Sequence, residues 1–159
     1  MVKDRFSLLF KSLVRPILEY ASSAWDPYTQ TEISQLEAVQ RRAARFVKGD
    51  YRQTSSTSQM LKDLGWPTLQ QRRSDTKLLM VYRITQDLID IPSDQFFHPL
   101  IRGGHGYGHR FQVPFCRTDV FKFSFFPSAI RLWNQLPNNL ATAASLEVFR
   151  RGLADANCT

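Results

Sequence analysis

Apolar residues recur at helical spacing through residues 1–90, and they predict a mainly α fold that begins as a bundle of about four helices. The first helix is expected over residues 3–24. Pro16 lacks the N–H that a helix interior needs, so we expect a break near residues 14–15 and a new helix from Pro16. Asp26 and Pro27 end this unit, because the residue before a proline is pushed out of the helical region.

The second helix has the clearest boundaries in the sequence. Thr29 and Glu32 have the spacing of a capping box, and Gly49 is placed to end the helix in a left-handed conformation. Between these signals lies an apolar stripe that we expect to face the core. Its members are Ile33, Leu36, Val39, Ala43 and Phe46.

Two further helices are predicted before residue 90. A short one covers residues 56–64, with Ser56 and Gln59 at capping-box spacing and Gly65 at its end. A longer one opens at Thr68 and runs to about residue 88. Its predicted inward face consists of Leu78, Val81, Tyr82, Leu88 and Ile89.

The pattern changes after residue 90. Closely spaced glycines and other turn formers predict a loop or linker over residues 91–110, between a helical region (1–90) and a tail (111–159). In the tail, apolar residues alternate with others on both sides of a turn, which predicts a small β-hairpin with one aromatic face. These residues are Phe111, Val113, Phe115, Phe121, Phe123 and Phe125. Short helices are expected at 127–134 and 145–153.

Several single side chains also carry expectations. Trp25, Trp66 and Trp133 each lie in or beside apolar periodicity, so all three are predicted to be in the core. Glu19 has no carboxylate nearby with which it could form a catalytic pair. We expect it to have a structural role, such as pairing with Arg15 one helical turn back.

The chain has a formal net charge of +7 and a pI near 9.8, which is typical of proteins with an anionic partner such as nucleic acid. The excess is concentrated in residues 41–52, where five cations accompany Asp50 alone. Arg and Lys at one-turn spacing can contact successive phosphates without reading sequence, although a solvated helix face is the simpler alternative. The predicted nucleic-acid-binding residues are Arg41, Arg42, Arg45, Lys48 and Arg52.

The sequence offers no recognisable catalytic constellation. The motif GGHGYG lacks the preceding strand and following helix that phosphate-binding loops require. His98, His105, His109 and Cys116 lie within 19 residues, but they lack the spacing that positions zinc ligands, and solvated loop histidines are the simpler interpretation. We therefore predict no catalytic residue, no metal site and no cofactor in this chain.

The sequence also predicts where the protein resides. No stretch approaches the ~20 consecutive apolar residues of a membrane span, and the N-terminus does not have the form of a secretory signal. Two cysteines, Cys116 and Cys158, form no disulfide framework. An intracellular protein, nuclear or cytoplasmic and without membrane attachment, is expected.

One long segment, LVRPILEYASSAWDPYTQTEISQLEAVQRRAARFVKGDY, resembles the region just after the polymerase core in reverse transcriptases of non-LTR retrotransposons (LINE elements) of the Jockey-like and chicken-repeat-like kind. The resemblance continues through LGWPTLQQRR and SFFPSAIRLWNQLP, and it covers nearly the whole chain after about residue 10. The first motif is carried by Leu13, Arg15, Pro16, Leu18, Glu19, Tyr20, Ala21 and Trp25. The second is carried by Leu36, Glu37, Gln40, Arg41, Arg42, Ala43 and Arg45.

The resemblance implies the thumb and the tail beyond it in an RNA-directed DNA polymerase. The Mg²⁺-binding aspartates of that polymerase belong to a Tyr/Phe-x-Asp-Asp turn and an earlier motif, and this chain has no Asp-Asp pair. The implied function is that of a non-catalytic C-terminal fragment that contacts the backbone of RNA or an RNA–DNA duplex during target-primed reverse transcription, with the polymerase core as its other partner. The alternative is a structural helical module that only packs against the polymerase core.

Overall fold

Helices make up most of the chain in a computed structural model that describes residues 2–22, 24–100 and 109–156. The predicted mainly α fold is therefore confirmed. The chain divides into two compact units, of which unit 1 comprises residues 1–22 and 26–73, and unit 2 comprises residues 23–25 and 74–159. The division at residue 73 falls inside a helix, whereas the sequence suggested boundaries at residues 90 and 110.

The N-terminal helical run changes from α-helical to the wider π-helical geometry just before Pro16, where the sequence predicted a break. It consists of α1 (Val2–Leu9), a π-helical stretch (Phe10–Val14) and α2 (Arg15–Glu19). The Arg15 N–H donates to the carbonyl of Phe10, five residues back, and this wider turn accommodates Pro16 without ending the helix. The run ends at residue 19, earlier than the predicted residue 24, because Tyr20 has a ψ of 133° and Ala21 a φ of 50°.

The next three helices begin where local sequence signals predict. These are α3 (Gln30–Lys48), α4 (Thr57–Asp63) and α5 (Leu69–Thr85). The hydroxyls of Thr29, Ser56 and Thr68 accept the backbone N–H three residues ahead at 3.4, 3.3 and 3.1 Å. Gly49 ends α3 with a φ of 68°, a left-handed conformation that favours glycine.

The buried face of α3 differs from the predicted apolar stripe by one residue. Its fully buried members are Glu37, Gln40, Ala44 and Val47, whereas Phe46 is exposed. Glu37 accepts the backbone N–H of Gln70 at 3.0 Å, and Gln40 donates to the carbonyl of Pro67 at 2.9 Å. Because both polar side chains bind the backbone around the start of α5, they can be buried on a face that hydrophobic periodicity did not identify.

The core of unit 1 contains Phe10, Ala44, Val47, Met60, Leu61 and Trp66. An ion pair lies beside it, in which both carboxylate oxygens of Glu19 accept from the guanidinium of Arg72. The sequence predicted Arg15 as the partner of Glu19. The next residue, Arg73, donates to the carbonyl of Leu18 at 2.7 Å. Adjacent arginines of α5 therefore bind the end of α2.

Unit 2 is built around the second part of α5. Its other helices are α6 (Ser93–Phe96), α7 (Asp119–Phe123), α8 (Phe125–Asn134), α9 (Asn138–Ala141) and α10 (Leu146–Ala156). Phe149 is completely buried at the centre of this core, and its ring stacks on Tyr82 with a centroid distance of 4.7 Å. The predicted inward residues Leu78, Val81 and Tyr82 are buried, but Leu88 is exposed and lies beyond the end of α5.

The predicted β-hairpin is wrong. Within the described residues, Phe111 forms only an isolated antiparallel bridge with Pro99, and Phe121, Phe123 and Phe125 lie in α7 and α8. The side-chain amide of Asn134 binds the backbone N–H of Phe111 at 2.9 Å and its carbonyl at 2.8 Å. These are the two backbone groups that a hairpin partner would bind. In the second predicted strand, the Thr118 hydroxyl caps the start of α7, and this helix-start signal outweighs a short alternating pattern.

The predicted glycine-rich loop lies partly outside the described residues, which omit 101–108. Among the helices that are described, none has the length and apolar character needed to cross a membrane.

Candidate nucleic-acid interface

The predicted basic residues lie on the second half of α3 and on the loop that follows it. Arg41 and Arg42 are exposed on α3, and neither forms a hydrogen bond or ion pair within the described part of the chain. Arg45 lies one turn after Arg41, and its Nη1 donates to the carbonyl of Arg52 at 3.2 Å. The fold therefore brings the loop back onto the helix, and we call residues 41–52 the basic segment.

Two cations of the basic segment are paired with carboxylates. Lys48 Nζ lies 3.2 Å from Asp63 Oδ2 of α4, and Arg52 binds Asp50 through Nε and Nη2 at 3.1 Å each. The side chains remain 34% exposed for Lys48 and 79% exposed for Arg52. Exposed pairs of this kind stabilise a fold weakly, but they reduce the positive charge that a phosphate would meet.

The two carboxylates that pair with cations of the basic segment have lowered pKa values. Hydrogen bonds from Arg52 hold the pKa of Asp50 well below its usual value, and the Ser55 hydroxyl lowers it further. Hydrogen bonds from Gln59 and then Lys48 lower the pKa of Asp63. Both groups are therefore negative at neutral pH, and the uncompensated positive charge of the segment lies on Arg41, Arg42 and Arg45, the last of which donates only to a backbone carbonyl.

An open depression of about 690 Å³ lies at the end of α3. It is lined by Lys48, Gly49, Asp50, Tyr51, Arg52, Met60 and Asp63. Two cations, their carboxylate partners and the ring of Tyr51 therefore share one concave surface, and a ring beside cations is a combination found in grooves for nucleic-acid strands. Sequence reasoning identified the cations and missed Tyr51, although its position between Asp50 and Arg52 just after the Gly49 cap was a usable signal.

A second cationic group was also not predicted as a site. Arg15 lies over the ring of Trp66, with its Cζ 5.8 Å from the ring centroid, and Phe10 stacks on the same indole at 4.8 Å. Burial lowers the pKa of Arg15, and the positive charge of Arg72 lowers it further. Trp66 belongs to the unit 1 core and Arg15 is half-buried against its ring, so we regard this cluster as structural.

The three tryptophans do not share one environment. Trp66 and Trp133 are buried, as the sequence predicts. Trp25 is 44% exposed, so the prediction that it lies in the core is wrong. The helical run ends at residue 19, and Trp25 is therefore not on the helical face that the periodicity assumed.

The histidine and cysteine positions do not converge on a metal site among the described residues, where no group of three or more potential ligands is found. His105 lies outside those residues. Cys116 donates to the carbonyl of Pro114 at 3.2 Å and accepts from Arg131 at 3.6 Å.

Comparisons with known proteins give no relative for this chain, since no family model, no curated protein and no solved structure matches it.

Proposed function

We propose that this chain is the non-catalytic thumb and post-polymerase portion of a non-LTR retrotransposon reverse transcriptase, and that it contacts the phosphate backbone of RNA or of an RNA–DNA duplex. The observation that carries the binding proposal is the exposed, unpaired pair Arg41 and Arg42, with Arg45, Lys48 and Arg52 beside it. The sequence resemblance supports the assignment to the parent polymerase. Magnesium belongs to that parent enzyme, and the site of action is intracellular, in the nucleus or the cytoplasm.

The basic segment suits contact with backbone more than recognition of base sequence. Arginine side chains bind phosphate through several N–H donors, and contacts to phosphate fix the position of a protein on nucleic acid without selecting bases. Each phosphate contact releases counterions, so the affinity of such a site falls steeply as salt rises. Salt dependence is therefore the most direct measure of the proposal.

Replacing Arg41 and Arg42 together with glutamate is expected to weaken binding to an RNA–DNA duplex about tenfold or more at low salt. The slope of log K against log salt should fall in magnitude by about 0.7–0.9 for each phosphate contact that is lost. A fluorescence-anisotropy titration at several salt concentrations measures both quantities.

The control is R150E/R151E, which makes the same change in net charge on exposed arginines of α10. We expect this control to retain most of the affinity. Equal losses in the two variants would mean that net charge alone attracts the duplex, and an unchanged salt slope in R41E/R42E would refute the basic segment as the interface.

A second candidate function is supported by a different surface. Large apolar side chains are exposed along the N-terminal helical run, including Leu13 at 61% and Ile17 at 72%. Leu9 precedes them at near-helical spacing and Tyr20 directly follows the last residue of the run, and we call these four residues the N-terminal apolar face. Contiguous exposed apolar surface is typical of a protein contact, so this face favours the structural module that packs against a polymerase core.

If the N-terminal apolar face is a docking surface, the isolated chain is expected to self-associate through it as the concentration rises. The variant L13D/I17D should shift the sedimentation equilibrium to a monomer, because two carboxylates cannot be desolvated in an apolar contact without a large cost. The control L88D/V148D changes two exposed apolar residues elsewhere and should not alter association. A monomeric wild-type chain at all concentrations would count against this candidate.

A further inference from the structure

Tyr51 is the aromatic residue at the centre of the basic segment's loop. It is 63% exposed, and its side chain makes no hydrogen bond or ring contact within the described part of the chain. It lines the depression at the end of α3 together with Lys48 and Arg52. An exposed aromatic ring thus shares this depression with two cations, each of which is paired with a carboxylate.

The backbone on both sides of Tyr51 is fixed by hydrogen bonds. Gly49 donates to the carbonyl of Arg45 at 2.8 Å, which holds the start of the loop against the last turn of α3. The Asp50 carboxylate accepts three hydrogen bonds from Arg52, at 3.1 Å each, and a fourth from the Ser55 hydroxyl at 2.7 Å. A ring on a fixed backbone loses little conformational freedom when a ligand covers it, because only its own rotamer must be restricted.

The donors near Tyr51 are suited to flanking phosphates. Arg52 uses Nε and Nη2 for Asp50, and its Nη1 makes no bond to any residue that the structure describes. Arg41 and Arg42 lie earlier on α3 with uncompensated charge. A strand that crosses the depression would therefore meet the Nη1 donor of Arg52 beside Tyr51, and the uncompensated charge of Arg41 and Arg42 lies further back along α3.

On the basis of the proposed function, we infer that the ligand of the basic segment includes an unpaired nucleotide whose base stacks on Tyr51. In a duplex the faces of the bases are covered by their neighbours, so a side-chain platform is of use only where a base is unstacked. Stacking on an aromatic ring tolerates every base and adds affinity to a backbone site that has no sequence preference. The substrate class is therefore a single-stranded segment of RNA or DNA, such as the strand next to a duplex end.

The test compares two probes, a single-stranded oligouridylate of about 12 nucleotides and an RNA–DNA duplex of equal length, by fluorescence anisotropy at one low salt concentration. We expect Y51A to weaken binding of the single strand about tenfold and binding of the duplex less than about twofold. Y51F should bind both probes as the wild type does, because stacking needs the ring and not the hydroxyl. The control F115A removes an even more exposed aromatic ring outside the basic segment and should change neither affinity.

The outcomes separate the inference from the function on which it rests. A single-strand affinity that is unchanged in Y51A, or equal losses for both probes, would overturn the stacking role of Tyr51. If R41E/R42E still weakened both probes, backbone binding by the basic segment would stand. A wild-type chain that bound neither probe would refute the proposed function, and the inference would fail with it.

Discussion

Replacing Phe149 with alanine is expected to lower the free energy of unfolding of unit 2 by about 3–5 kcal/mol. The side chain is completely buried, stacks on Tyr82, and lies 5.7 Å from Trp133 between ring centroids. Truncation removes its apolar contacts and leaves a cavity between these two rings, which are themselves held by hydrogen bonds to the carbonyls of Ala143 and His109. The surroundings therefore cannot collapse easily to fill the space.

Urea denaturation followed by tryptophan fluorescence measures this loss, since Trp133 reports on the same core. Val148 is the matched control, because it precedes Phe149 on α10 and is exposed, and V148A should change the free energy of unfolding by less than about 0.5 kcal/mol. The milder variant F149L, expected to cost about 1 kcal/mol, keeps the experiment informative if F149A does not fold. A cost for F149A no larger than that for V148A would contradict the central position of Phe149.

Replacing Trp66 with alanine is expected to lower the free energy of unfolding of unit 1 by about 3–5 kcal/mol. Only 3% of the surface of Trp66 is exposed, and its ring stacks on that of Phe10 in the π-helical stretch. The guanidinium of Arg15 lies over the indole face, so the substitution also removes a cation–π contact. The loss should therefore loosen the N-terminal helical run as well as the core.

Trp25 provides the comparison for Trp66, because the sequence predicts both residues to be in the core. Because 44% of the surface of Trp25 is exposed, W25A should lower the free energy of unfolding by about 1 kcal/mol or less. Far-UV circular dichroism during denaturation follows both variants without depending on tryptophan fluorescence. If W66A and W25A lowered the free energy of unfolding equally, Trp25 would be as buried as Trp66, and its exposed position would be contradicted.

The starts of the helices could be predicted from a few neighbouring residues in the sequence. Thr29, Ser56 and Thr68 each satisfy a backbone donor three residues ahead, so the information that begins the helix lies within one turn of sequence. The left-handed Gly49 likewise ends α3 through a property of glycine itself. The cationic composition of residues 41–52 is also local, and it was sufficient to identify the candidate interface.

Partners distant in the sequence could not be read in this way. Glu19 binds Arg72, which lies 53 residues away, and Glu37 and Gln40 are buried because the backbone around the start of α5 supplies their hydrogen-bond partners. Nothing within a helical turn of these residues specifies such contacts, so hydrophobic periodicity assigned a face of α3 that is one residue out of phase. The predicted hairpin was wrong for a related reason, because the amide of Asn134 binds the Phe111 backbone groups that a second strand would have used.

The sequence by itself determined the helical class, most helix starts, and the concentration of cations after residue 40. Only the tertiary structure decided which of those cations are compensated by a distant residue, since Asp63 reaches Lys48 from another helix, whereas the pair formed by Asp50 and Arg52 spans two residues and is local. It also decided that Tyr51 is exposed beside them. The physical reason is that charge is a property of each residue, whereas its compensation and exposure depend on residues that the fold brings near.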